Sequence, residues 1–137
     1  LLLGGIIVTL FIGGLPALIR RSNANLAVLE AWVARTPWAA FLAQDKAIRS
    51  NTSVCLKIVD PRVLTLPEAD QAKFAAAIAG LLEKEGAALD IGSYRDAPPG
   101  LRIWCGATVD TADIDALIPW LDWAFAQVQQ QFALSAA

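Results

Sequence analysis

Residues 88–108 read ALDIGSYRDAPPGLRIWCGAT, and the architecture of the chain turns on them. The segment RDAPPG at 95–100 admits no regular structure. Its two prolines lack a backbone donor and fix φ, and Gly100 permits a tight turn. The residues on either side are β-prone. Ala88–Ser93 predicts a short strand and Leu101–Thr108 the next one. Two strands this close along the chain, joined by a loop, predict an antiparallel pair.

Working outward, Ser53–Val59 (SVCLKIV) alternates apolar and polar residues and predicts a further strand beside that pair, ended by Asp60-Pro61. Pro67-Glu68 opens a helix, with Thr65 or Leu66 near its cap. Phe74, Ile78, Leu81 and Leu82 form its apolar stripe, and Gly86 ends it. Upstream, Leu18, Ile19, Leu26, Leu29, Trp32 and Val33 recur at helical spacing and predict a helix from about Pro16 to Arg35, closed by Thr36-Pro37. Trp38, Phe41 and Leu42 read as a short turn of helix. Downstream, Asp110 or Thr111 caps a long last helix with Ile114, Leu117, Leu121, Phe125 and Val128 on its buried side. Pro119 inside it predicts a kink or a restart. The order α–β–α–β–β–α gives an α+β fold. It is a two-layer α/β sandwich, with a small, mainly antiparallel sheet and helices packed on one face.

Composition supports one domain and removes several chemistries. The chain has 137 residues, 56% of them hydrophobic and 18% charged, which is enough apolar surface for a core. Its net charge of −2 carries no basic block, so nucleic acid is not an expected partner. With no histidine and only two cysteines, Cys55 and Cys105, the sequence lacks Ser-His-Asp, Cys-His and His-based zinc sites. Both cysteines fall in apolar, strand-like runs and read as buried thiols of a reducing cytoplasm. Residues 1–11 form an atypical apolar segment ahead of a domain over 12–137. Its glycines, with Gly13, Gly14 and Pro16 beyond, make a poor spanning helix. No basic residue precedes it, as a secretory signal would need.

Charge and rigid backbone meet only at the RDAPPG loop. Tyr94, Arg95 and Asp96 stand at one strand end and Arg102 at the start of the next strand. A guanidinium is a planar fork that matches a carboxylate through two parallel hydrogen bonds. Partly buried, Arg102 needs an anion. Spacing leaves two options open: a structural salt bridge to Asp90, Asp96 or Asp110, or a bound ligand.

The string DIGSYRDAPPGLRIWCGATVDTADIDALIPWLDWAF (90–125) resembles the end of phosphoserine aminotransferases of the bacterial type. GGLPALIRRSNANLAVLEAWVARTPW (13–38) and IRSNTSVCLKIVDP (48–61) are similar to that family's domain-connecting helix and first small-domain strand. The likeness covers about Ile12 to Ser135. It implies the C-terminal small domain of a fold-type I aminotransferase. Such an enzyme depends on pyridoxal 5′-phosphate, is cytoplasmic and homodimeric, and serves serine biosynthesis. It interconverts O-phosphoserine and 2-oxoglutarate with 3-phosphohydroxypyruvate and glutamate. In the family the arginine of the Gly-x-Arg segment, here Arg102, holds the substrate α-carboxylate. The arginine of the preceding strand end, here Arg95, helps to bind the phosphate. Some relatives have His-Arg where this chain has Tyr94-Arg95, and Tyr94 can donate one hydrogen bond to that phosphate.

The resemblance also implies what the chain does not bring. The Schiff-base lysine, the aspartate for the pyridine nitrogen and the phosphate cradle belong to the family's large domain. Lys46, Lys57, Lys73 and Lys84 stand in no cofactor motif and read as solvated charges. The chain is thus expected to bind no pyridoxal phosphate and to be inactive alone. A different reading keeps the sandwich as a non-catalytic binding or interaction module, tethered to a membrane by its apolar N-terminus.

Overall fold

The computed structural model describes residues 13–134. The apolar run at 1–12 that prompted the tether reading lies outside them. Helix α1 spans Gly14–Val33, strand β1 Ala39–Phe41 and strand β2 Ser53–Ile58. A one-turn helix α2 covers Pro61–Leu64 and α3 covers Glu68–Lys84. Strand β3 is Gly100–Trp104, and α4 is Thr111–Gln131. A single 3-10 turn, Lys46–Ile48, sits between β1 and β2, where the Asp45 carboxylate accepts from the Ala47 amide at 2.8 Å. Among the described residues no helix is long and apolar enough to cross a membrane.

The three strands form an antiparallel sheet in the order β1-β2-β3, with Cys55 opposite Arg102 and Ser53 opposite Trp104. Along β2 the side chains of Val54, Leu56 and Ile58 are buried and alternate with partly exposed Ser53, Cys55 and Lys57. That alternation means one face is covered and the other open. The helices supply the cover, and α4 packs against both α1 and α3. An aromatic chain runs through the join. Trp38 stacks on Phe125 at 4.3 Å and meets Trp32 edge-on at 5.3 Å, while Phe74 meets Phe125 at 5.6 Å and Phe132 at 5.2 Å. Such pairs add to plain burial because ring edges and faces carry opposite partial charge.

Several expectations change. Trp38–Leu42 is not helical. Residues 39–41 are extended and pair with β2, and the pairing continues through Val59 N to Trp38 O at 2.8 Å and Leu42 N to Cys55 O at 2.9 Å. The strand expected at 88–93 contracts to one bridge, Gly92 with Leu101, and one bond, Arg102 N to Ile91 O at 2.8 Å. The reason is Asp90, whose φ of 53° turns the chain out of the extended region. Helix α3 is capped by Pro67 rather than Thr65 or Leu66. Asp60-Pro61 follows the end of β2 as expected and also starts a helical turn, because the Asp60 carboxylate accepts from the Arg62 amide at 2.9 Å and proline fits the first helical position. Helix α4 runs on through Pro119 as one element and does not restart.

The buried stripe of α1 is rotated from the one expected. Ala17, Ser22, Asn25, Leu29 and Trp32 are inside, whereas Ile19 is exposed. The rotation places a serine and an asparagine against the core, where their polar atoms need partners.

Candidate functional site

The open face of the sheet carries Arg102 and Tyr94, two of the residues singled out from the sequence. Arg102 projects from β3 between buried Leu101 and Ile103, and its side chain is 16% exposed. Its Nη2 donates to the Asp90 carboxylate at 2.8 Å and to the Asp90 carbonyl at 3.2 Å. The guanidinium carbon lies 4.6 Å from the centre of the Tyr94 ring, within cation–π range. Hydrogen bonding to Asp90 raises the already high guanidinium pKa further, against burial, which acts the other way. The Nε of Arg102 is buried without a partner. One edge of the fork is therefore unused.

Of the three acids named as partners for Arg102, the antiparallel bridge selects Asp90. Asp110 is taken instead by Arg21, whose Nη2 reaches its carboxylate at 2.6 Å while Nε reaches the Ala107 carbonyl at 2.7 Å. Asp96 is exposed in the turn and pairs with neither arginine. Tyr94 is also exposed. Its hydroxyl stands 3.5 Å from that of Ser53, at the end of β2.

Arg95 occupies a turn closed by Ala97 N to Tyr94 O at 3.0 Å. It lines a cleft of ≈ 490 Å³ between the start of α3 (Glu68, Ala69, Ala72) and the loop residues Gly92, Ser93 and Pro99. Arg102 is not among the walls of that cleft. The structure thus brings Tyr94 and Arg102 into contact and sets Arg95 apart, on the other side of the same loop. Arg95 has no carboxylate partner among the described residues, which leaves its charge available to an anion.

Sequence reading missed Asn25. It is fully buried, and its side-chain amide donates to the carbonyls of Cys105 at 3.1 Å, Gly106 at 3.3 Å and Val109 at 3.0 Å. Its oxygen accepts from the Thr111 hydroxyl at 2.7 Å. Together with Arg21 it ties α1 to the loop that leaves β3, and so fixes the downstream end of the strand carrying Arg102. A polar residue three and four places from Ser22 and Leu29 was the available signal.

Both cysteines are free thiols, but only Cys105 is buried, and burial pushes its pKa up to about 12. Cys55 is half-buried on the open face opposite Arg102.

No family model matches the chain. Over 114 residues it is 50% identical to a phosphoserine aminotransferase of Methanosarcina mazei, a match covering 83% of this chain and 28% of that relative. It is 54% identical over 114 residues to a phosphoserine aminotransferase of Methanosarcina barkeri, with the same coverage of 83% and 28%. The chain thus spans under a third of the length of these curated relatives. A run of 114 residues in a chain of 137 must include Asp90–Arg102 wherever it starts.

Proposed function

We propose that this chain, which belongs to the phosphoserine aminotransferase family, is the C-terminal, substrate-gripping lobe of such an enzyme. The whole enzyme would move the amino group between O-phosphoserine and 2-oxoglutarate, as a cytoplasmic homodimer. The observation that carries the reading is the match at 50–54% identity over 114 residues, a span that takes in the loop presenting Arg102, Tyr94 and Arg95.

In this reading Arg102 takes the α-carboxylate common to both amino acids. Its fork suits two parallel hydrogen bonds, and the unpartnered Nε would supply the second once uncovered. The phosphate goes to Arg95, which is exposed and lines the adjoining cleft, with the Tyr94 hydroxyl as a further donor. Glu68, on the opposite wall, opposes a divalent anion there. Arg95 would therefore have to swing outward from Glu68 to serve it.

The residues of this chain do not fit pyridoxal phosphate. A Schiff-base lysine is normally desolvated so that its amine can lose a proton. Lys46 is instead paired with Glu30 at 3.0 Å and Lys73 with Asp70 at 2.8 Å, both largely exposed. Lys57 sits on the sheet opposite Gly100, and Lys84 is exposed at the end of α3. The cofactor and its proton transfers would belong to the part of the enzyme that this chain does not span.

The test is a chimera in which this chain replaces the matching segment of the Methanosarcina mazei enzyme. It should transaminate O-phosphoserine. Arg102→Ala in that chimera should lower kcat/KM for both amino acids by roughly 10²–10⁴-fold, since two charge-assisted hydrogen bonds are worth about 1.5–3 kcal/mol each. Arg102→Lys should recover little of it, because a point charge does not reproduce the fork. Arg95→Ala should impair O-phosphoserine far more than glutamate. An active chimera whose Arg102→Ala form keeps its kinetics would overturn the assignment.

A further inference from the structure

Asp90 departs from what its surroundings require of a loop residue. It holds φ at 53°, in the left-handed region that few non-glycine residues occupy. Its carboxylate is 87% exposed, yet it is directed back onto the Nη2 of Arg102, the residue's own carbonyl joining on the same nitrogen. Both contacts fall on one nitrogen, so the fork is engaged at a single tooth while Nε stays buried and unpartnered. Tyr94 closes the flat face of the guanidinium. A carboxylate already sits where a ligand carboxylate would approach, and it sits there in an incomplete geometry.

We infer that Asp90 is an internal stand-in for the ligand carboxylate, a latch that occupies Arg102 when the seat is empty and is displaced when a carboxylate binds in the two-toothed mode. The inference rests on the reading of Arg102 as a carboxylate site, and adds to it a residue that sets how tightly the site binds. The arrangement explains why a partly buried arginine tolerates an empty seat: its charge is never left without an anion. It also explains the exposure of the latch. An acid that must leave costs little to release when water already solvates it. Asp90 therefore lowers the apparent affinity for carboxylates by the strength of one exposed ion pair.

A positioning role predicts the opposite sign. If Asp90 served to hold Arg102 ready, removing its charge would weaken carboxylate binding. Asp90→Asn separates the two, because asparagine keeps the left-handed backbone and the carbonyl contact while losing the charge.

The experiment titrates the 137-residue chain and its Asp90→Asn form with acetate, following the Arg102 Nε–Hε resonance by NMR, with that signal assigned by its loss in Arg102→Lys. Chloride at matched ionic strength is the control. The half-saturation concentration for acetate should fall about two- to fivefold in Asp90→Asn, the range that an exposed ion pair supports. Equal or weaker acetate binding in the variant would overturn the latch and leave the carboxylate seat standing. Absence of any acetate response at Arg102 in both chains would overturn the seat and the latch together.

Discussion

Replacing Asn25 by alanine tests whether the buried amide is what fixes the end of β3. The amide has two hydrogens and shares them among three carbonyls, those of Cys105, Gly106 and Val109, at 3.0–3.3 Å. The Gly106 carbonyl has a second donor, the Val109 amide at 2.9 Å, and would stay satisfied. The other two would lose the donor described here, and the Thr111 hydroxyl would lose its acceptor. Three net hydrogen bonds at about 1 kcal/mol each, plus the desolvation of groups left unpaired, give a loss of about 3–4 kcal/mol. With a urea slope of about 1–3 kcal/mol/M for a small domain, the midpoint should fall by about 1–4 M at unchanged slope. Tryptophan fluorescence would report it, since Trp32 lies two turns along the same helix and is fully buried. Thr111→Val removes only the hydroxyl bond and should cost about 1 kcal/mol. The two changes should be non-additive, because both act on one bond. An Asn25→Ala chain within about 0.5 kcal/mol of the parent would show that the loop is held by packing alone.

Two further outcomes follow from the packing. Gly100→Ala should abolish cooperative unfolding, because a Cβ there would fall on the Leu56 carbonyl and force β2 and β3 apart; a sharp urea transition close to the parent's would contradict the register. Asp60 accepts from the Arg62 amide, Nε and Nη2, and the Arg62 side chain holds its carboxyl below the ordinary range. A depressed folded-state pKa means the stabilisation is present above the unfolded value, about 3.9, and is lost as pH falls through the folded one. Asp60→Asn should thus be less stable at pH 7, with the gap closing in acid; a gap of constant size from pH 7 to pH 2 would refute the linkage.

How much of this was legible depends on whether a signal was local. The stripe of α4 was readable because Ile114, Leu117, Leu121, Phe125 and Val128 repeat at helical spacing over several turns, and all five are buried. The alternation of β2 was readable for the same reason. β1 was not. Ala39–Phe41 is too short to show a period, and its extended form comes from β2 alongside it. Asn25 was masked because the apolar residues of α1 outline a stripe one step away from the buried one. The partner of Arg102 could be narrowed to three acids but not chosen, since the choice follows from a cross-strand bond between residues 91 and 102 that spacing does not reveal. The separation of Arg95 from Arg102 was hidden likewise, because the loop presents them on different sides.

Four backbone and side-chain irregularities gather in one loop. Between Asp90 and Arg102 the chain holds a left-handed non-glycine residue, a strand reduced to one bridge, a guanidinium nitrogen buried without a partner, and a glycine pressed against a neighbouring carbonyl. Among the described residues the other non-glycine residue with positive φ is Ala133, near the end of the last helix. A fold under selection for stability alone has no reason to gather four such features into thirteen residues. The concentration argues that this loop is shaped for what meets the open sheet face. The helical layer, with its aromatic chain and its buried asparagine, supplies the rigidity that lets the loop keep that shape.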